Sequence, residues 1–249
     1  MAKVKKQRAS RAVRQRREEQ FQHVKLEGFI LPIEVLDAVA ADGDWLPGMR
    51  PEDFHLLPGE PINERITESW NKLKRVWKIF QKKRANVPKD DFGTELTRSA
   101  WLIPLLECLG YSPSYQAKSV EVDGKEYRIS HTVTEPIGVN LVSFKQSLNE
   151  RDTSSKAGAR VSPHSMMQEF LNKSDLHLWA FLSNGLQFRI LRVNASFVRG
   201  AYLEFDLEGI MESDSFGEFA ILFKMAHQSR VESRMATVQA SKSKNKKVK

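Results

Sequence analysis

The hydrophobic pattern is sharpest between Arg160 and Arg192, RVSPHSMMQEFLNKSDLHLWAFLSNGLQFRILR. Ser162 is placed to cap a helix with Pro163 at its first position, where a missing N–H costs nothing. Met166, Met167, Phe170 and Leu171 then recur at helical spacing. Residues Leu176 to Leu182 are apolar enough for an inner strand. Asn184-Gly185 predicts a type I′ hairpin, because both central residues of that turn need positive φ. Beyond it Leu186, Phe188 and Ile190 alternate with Gln187, Arg189 and Leu191, the period of a strand with one face in the core.

Upstream, the pattern predicts a short strand over 23–31 stopped at Pro32, and a helix over 33–41 with Ile33, Leu36 and Val39 or Ala40 on one face. Residues 42–62 carry Gly43, Pro47, Gly48, Pro51, Pro58, Gly59 and Pro61 and must be irregular. Their apolar members (Trp45, Leu46, Phe54, Leu56, Leu57) predict a loop packed on the body. A long helix follows, capped by Asn63 and running to about Arg84. It turns Ile66, Trp70, Leu73, Val76, Trp77 and Phe80 inward, with Lys72, Lys74, Lys78, Lys82 and Lys83 largely opposite. A helix from Thr94 ends at Gly110 as a C′ glycine, and Pro104 within it implies a kink or a later start. Then come a weak strand at 114–117, an Asp123-Gly124 hairpin joining 120–122 to 126–130, and a strong strand at 138–144. The chain finishes with an alternating strand over 201–207 and one helix over 213–230, its Phe216, Phe219, Leu222, Phe223 and Ala226 inward.

Composition changes this picture in two ways. The chain has 249 residues, enough for one sizeable core or one domain with an extension, and a single cysteine, Cys108, in an apolar helix. It can form no internal disulfide, which predicts a cytoplasmic protein and a core role for the thiol. No apolar run is long enough for a membrane span, and the basic N-terminus lacks the apolar stretch of a signal peptide. The net charge of +8 is unevenly placed. Lys3, Lys5, Lys6, Arg8, Arg11, Arg14, Arg16 and Arg17 stand in residues 1–17 without an acid, and five lysines, Lys242, Lys244, Lys246 and Lys247 among them, in residues 239–249. Subtracting 8 and 5 from +8 leaves the body at −5. Such tails bind polyanions by counterion release, so these residues are the candidate nucleic-acid contacts.

The order from Thr94 onward is helix, strands, central strand, helix, strand. That is the order of a PD-(D/E)xK nuclease core, in which a carboxylate after one strand and a Glu-x-Lys on the next hold Mg²⁺ beside a phosphodiester. The place to look is VNLVSFKQ. Lys145 is present, but Ser143 stands where the metal-binding Glu belongs, and a hydroxyl cannot replace a carboxylate's charge. If the chain cuts, the candidates are Glu135, Lys145 and, on the following helix, Gln168, with Mg²⁺ as cofactor; otherwise no cofactor or metal is expected. The histidines, His164 and His177 among them, have no metal-ligand spacing. No phosphate loop or nucleophile elbow occurs.

The segments SPHSMMQEFLNKSDLHLWAFLSNGLQFRILR, AYLEFDLEGIM, FKMAHQSRVE, LPGE…NERITESWNKL and WLIPLLECLGY together resemble the N-terminal endonuclease-like region of large restriction–modification adenine DNA methyltransferases, including those of DISARM-type phage-defence loci. The resemblance spans roughly Val24 to Glu232. It implies an α/β fold with a degenerate PD-(D/E)xK restriction-endonuclease-like core, a mixed sheet flanked by helices, over 94–232. A helical extension over 23–93 would pack on it, with a basic arm at 1–22 and a basic tail at 233–249. The methyltransferase part is absent, and the lysine-rich ending favours a separate subunit. The implied function is a subunit without nuclease activity of its own that binds DNA or assembles with a methyltransferase or helicase of a defence system. The alternatives are an active Mg²⁺-dependent endonuclease of the same system, and a general nucleic-acid-binding protein that uses only its tails.

Overall fold

The computed structural model describes residues 21–28, 30–41, 46–57, 59–134, 136–151, 161–193 and 201–231. Nine strands are formed among them: β1 (Val24–Glu27), β2 (Ser114–Tyr115), β3 (Val120–Val122), β4 (Lys125–Tyr127), β5 (His131–Thr132), β6 (Ile137–Leu141), β7 (Trp179–Ser183), β8 (Gln187–Arg192) and β9 (Tyr202–Asp206). Seven build one mixed sheet in the order β1-β9-β8-β7-β6-β5-β2, and β3–β4 stand apart as a hairpin. Only β6 and β7 run parallel; every other neighbouring pair is antiparallel. The segment expected as a helical extension also supplies an edge strand, since β1 pairs with β9.

The helices are α1 (Ile33–Ala40), α2 (Ile62–Arg84), α3 (residues 94–108), α4 (Pro163–Lys173), α5 (Leu207–Glu212) and α6 (Phe216–Ala226). They cover both faces of the sheet. Val139, Leu141, Phe181, Phe188, Ile190, Leu203 and Phe205 face α1, α2, α3, α5 and α6 in the larger core. Ala180, Leu182 and Leu191 point the other way, into a smaller core with Met167, Phe170 and Leu171 of α4 and Tyr127 of the hairpin. β6 is buried along its whole length, as a parallel strand covered on both faces must be. Gly138 lets α4 approach it, since a Cβ there would come within 2.9 Å of the Phe170 ring.

Several expectations are met in detail. Ile66, Trp70, Leu73, Trp77 and Phe80 form the buried stripe of α2. Ser162 Oγ accepts a hydrogen bond from the Ser165 N–H, with Pro163 at the first helical position. Asp123 and Gly124 both take positive φ between β3 and β4. Gly110 closes α3: its N–H donates to Glu107 O, and the Tyr111 N–H reaches back to Leu106 O.

Others are corrected. The cap of α2 is Pro61, without a side-chain bond, and Asn63 lies inside the first turn. Of the two readings of Pro104, the later start is not taken: α3 runs through it, with a π turn over Arg98–Leu102 in which the Ile103 N–H donates to Arg98 O. At the β7–β8 turn only Gly185 has positive φ, so the hairpin is not type I′. There Asn184 Oδ1 instead accepts from the backbone N–H groups of Leu186 and Gln187. The strand before it starts at Trp179, leaving Leu176 and Leu178 exposed. The last helix starts at Phe216 rather than Ser213, as α6, and an unexpected short helix, α5, precedes it across Asp214, whose φ is 54°.

Candidate functional site

The end of β6 carries the expected nuclease positions. Ser143 is buried, and its hydroxyl donates to Phe92 O and accepts from the Lys145 N–H. The Lys145 ammonium donates to Pro88 O at 2.8 Å and Asp91 O at 2.6 Å. The Phe144 N–H donates to Thr97 Oγ1, which donates to Gly93 O. Asp91 is used locally as well, accepting from the Gly93 N–H. These bonds clamp residues 88–93 against the strand end, so the ammonium is committed to backbone carbonyls rather than held open toward a ligand.

Gln168 lies elsewhere. Its Nε2 donates to Asn172 Oδ1 and to Arg192 O, while its Oε1 is buried without a partner among the described residues. Arg192 pairs with Trp179 at the start of β7, whereas Leu141 pairs with Ser183 at its finish. Gln168 and Lys145 therefore sit toward opposite ends of the parallel pair, whose β7 ends are four residue steps or about 13 Å apart. Glu135 lies outside the described residues, as do all the tail cations from Lys3 to Arg17 and from Lys242 to Lys247. Among the described residues no three His, Cys, Asp or Glu groups are arranged to hold a metal ion. The donors around Lys145 do not fit Mg²⁺, which needs charged oxygen ligands.

The densest polar convergence is on the α4 face, around Arg189, which was not expected as a site residue. Arg189 is 1% exposed, and Glu204, its register partner on β9, is 8% exposed. Arg189 Nε donates to Glu204 Oε2; its NH1 donates to Asn149 Oδ1 at 2.8 Å and lies 3.2 Å from His164 Nδ1. The guanidinium stacks over the Tyr202 ring at 4.4 Å, and His164 meets the same ring edge-on. Burial, reinforced by Arg189, pulls His164 down to about 4, so it is neutral at pH 7. Its Nδ1 can then accept from Arg189. All this chemistry is internally matched: one cation, one anion, a neutral acceptor and an amide.

A third group lies beside the end of β6. Arg98 Nε donates to Leu141 O, with its guanidinium 5.8 Å from the ring of exposed Tyr115. Ser130 Oγ accepts from the Leu141 N–H and lies 2.8 Å from His131 Nδ1. Burial, then Arg98, lowers His131 to about 4. The remaining histidine singled out by sequence, His177, packs on Phe170 and does not meet His164. Cys108 is half-buried and its thiol is raised by burial, the reverse of an activated nucleophile. No helix among the described residues is long and apolar enough to cross a membrane.

Sequence reasoning missed Arg189, Glu204, Asn149 and His164 as a group because the two strands, the helix and the loop carrying them meet only in the folded protein. The one signal available was the charged pair at matched positions of two adjacent alternating strands. No protein-family model, curated protein or solved structure matches the chain.

Proposed function

We propose that the chain is a non-catalytic subunit of a DNA restriction or phage-defence system, with a degenerate PD-(D/E)xK-like core that contacts DNA or seats a methyltransferase or helicase. The core assignment is supported by the path of the chain: antiparallel β5–β6, then α4 as the crossover to parallel β7. The lack of nuclease activity rests on one observation. At the position of the Glu-x-Lys, Ser143 and Lys145 are both bonded to carbonyls of residues 88–92, so neither a second carboxylate nor a free ammonium is presented there. The basic tails, with the resemblance to restriction–modification proteins, support DNA as the partner.

The test is a plasmid assay and a duplex-binding titration on the full chain. The expected result is salt-dependent binding of DNA without Mg²⁺- or Mn²⁺-dependent nicking. Metal-dependent cutting that disappears in Lys145→Ala would overturn the non-catalytic assignment. Failure to bind duplex at low salt would overturn DNA contact.

A further inference from the structure

α2 carries a second basic feature, inside the folded body rather than in the tails. Residues 71–84 contain seven basic residues and no acid, in a body whose net formal charge is −5 once the tails are subtracted. Three of the seven are neutralised by the surrounding fold. Lys72 pairs with Glu107 at 3.7 Å, Lys74 with Asp214 at 3.1 Å, and Arg84 with Glu208 at 2.7 Å. The other four, Arg75, Lys78, Lys82 and Lys83, are exposed and stand away from the buried stripe of Trp70, Trp77 and Phe80. None of the four has an ion-pair partner among the described residues.

Solvation alone does not account for this arrangement. Arg75–Lys78 and Lys78–Lys82 are i,i+3 and i,i+4 neighbours, and like charges at that spacing oppose the helix. Lys82 and Lys83 recover something from the negative end of the helix dipole, but Arg75 and Lys78 lie more than a turn before it, beyond its reach. Among the described residues the fold supplies acids to the flanking cations and none to the outward row.

We infer that the outward face of the C-terminal half of α2 is a phosphate-binding surface for duplex DNA. This rests on the DNA-contact reading above and gives that reading a site in the folded body. From Arg75 to Lys83 the helix advances about 12 Å, the axial length over which one DNA strand presents three to four phosphates. Four unpaired cations over that length match the spacing of the polyanion. The face ends where Glu64 and Glu68 take over the same side of the helix. Phosphate contacts of this kind set position on the duplex and carry no sequence information.

The experiment is a fluorescence-anisotropy titration of a short mixed-sequence duplex with the full chain at several salt concentrations. Arg75→Gln/Lys78→Gln/Lys82→Gln/Lys83→Gln is compared with the paired-cation control Lys72→Gln/Lys74→Gln and with a variant lacking residues 1–17 and 239–249. Gln keeps helix propensity, so circular dichroism should be unchanged in both glutamine variants. The quadruple variant should lower the slope of log K against log salt by about 3 to 4 and weaken binding at least tenfold, and the control should do neither. The tail-deleted chain should keep measurable binding that the quadruple substitution then abolishes. If the parent binds and the quadruple variant matches it in affinity and slope, the α2 site is overturned while DNA contact through the tails stands. If the parent binds no duplex, both fall. Binding to anionic phospholipid vesicles without duplex binding would overturn the site in favour of a membrane surface.

Discussion

Arg189 and Glu204 face each other across β8 and β9 as register partners, and the guanidinium Nε donates directly into the carboxylate within a nearly dry environment. A buried pair of this kind costs much to break and little to replace whole, because removing one partner strands the other's charge. Arg189→Met should therefore lose about 3–5 kcal/mol in urea unfolding. Arg189→Met/Glu204→Leu should lose clearly less than the sum of its single variants. Additive losses would show that the pair is not coupled as its geometry requires.

Gly185 and Gly124 both hold positive φ, 84° and 70°, but in different surroundings. A Cβ at Gly124 would meet nothing within 4 Å, while one at Gly185 would come within 2.8 Å of Thr97 Cγ2 and 3.3 Å of Trp101 Cδ1. Gly185 also accepts the Trp101 indole N–H through its carbonyl at 2.7 Å. Gly124→Ala should cost only the left-handed backbone penalty, about 1–2 kcal/mol. Gly185→Ala should cost about 1–3 kcal/mol more, because overpacking adds to the same penalty. Equal unfolding midpoints for the two variants would contradict this packing.

Lys145 offers a way to tell a clamp from a catalytic amine. Its two bonds to Pro88 O and Asp91 O hold an exposed loop, so Lys145→Met should destabilise the protein by only about 1 kcal/mol. The change should be local: amide exchange over residues 88–93 should speed up while the core strands β6–β8 stay protected. Unchanged exchange in that loop would mean that the ammonium does not anchor it.

What could be read from the sequence was what one element determines by itself. The stripe from Ile66 to Phe80 is set by helical period, and the β3–β4 turn by Asp123-Gly124. The burial of Arg189 is not legible because alternation separates two faces but does not say what covers the second; α4 and Asn149 bury a position that the pattern leaves polar. The short helix α5 is hidden because its six residues, two turns at most, follow directly on an alternating strand. Lysines 72 to 83 were legible as a basic helix face, but which of them the fold neutralises depends on Glu107 and Asp214, distant in sequence. The alternation of helices and strands from Thr94 onward was readable because each element announces itself. What Ser143 and Lys145 bond to was not.

Three histidines, His131 and His227 buried and His164 half-buried, give the fold a defined acid lability. His131, His164 and His227 are each lowered from 6.5 to about 4, with burial the main cause. Arg98 and Arg189 add to it at His131 and His164, and His55, Arg230 and Arg65 at His227. His227 is also wedged between the Phe54 and Phe223 rings, each 5.3 Å away. Between pH 6.5 and 4 the unfolded chain binds protons that the folded chain refuses, so stability rises with pH across that window. The contribution is complete above pH 6.5 and is lost as pH falls toward 4. Urea midpoints measured from pH 8 to 4 should be flat at first and then fall. His164→Gln and His227→Gln should each reduce the slope of the fall by up to about 1.4 kcal/mol per pH unit. A parental slope that persists in the His164→Gln/His227→Gln double variant would assign the acid lability to other groups.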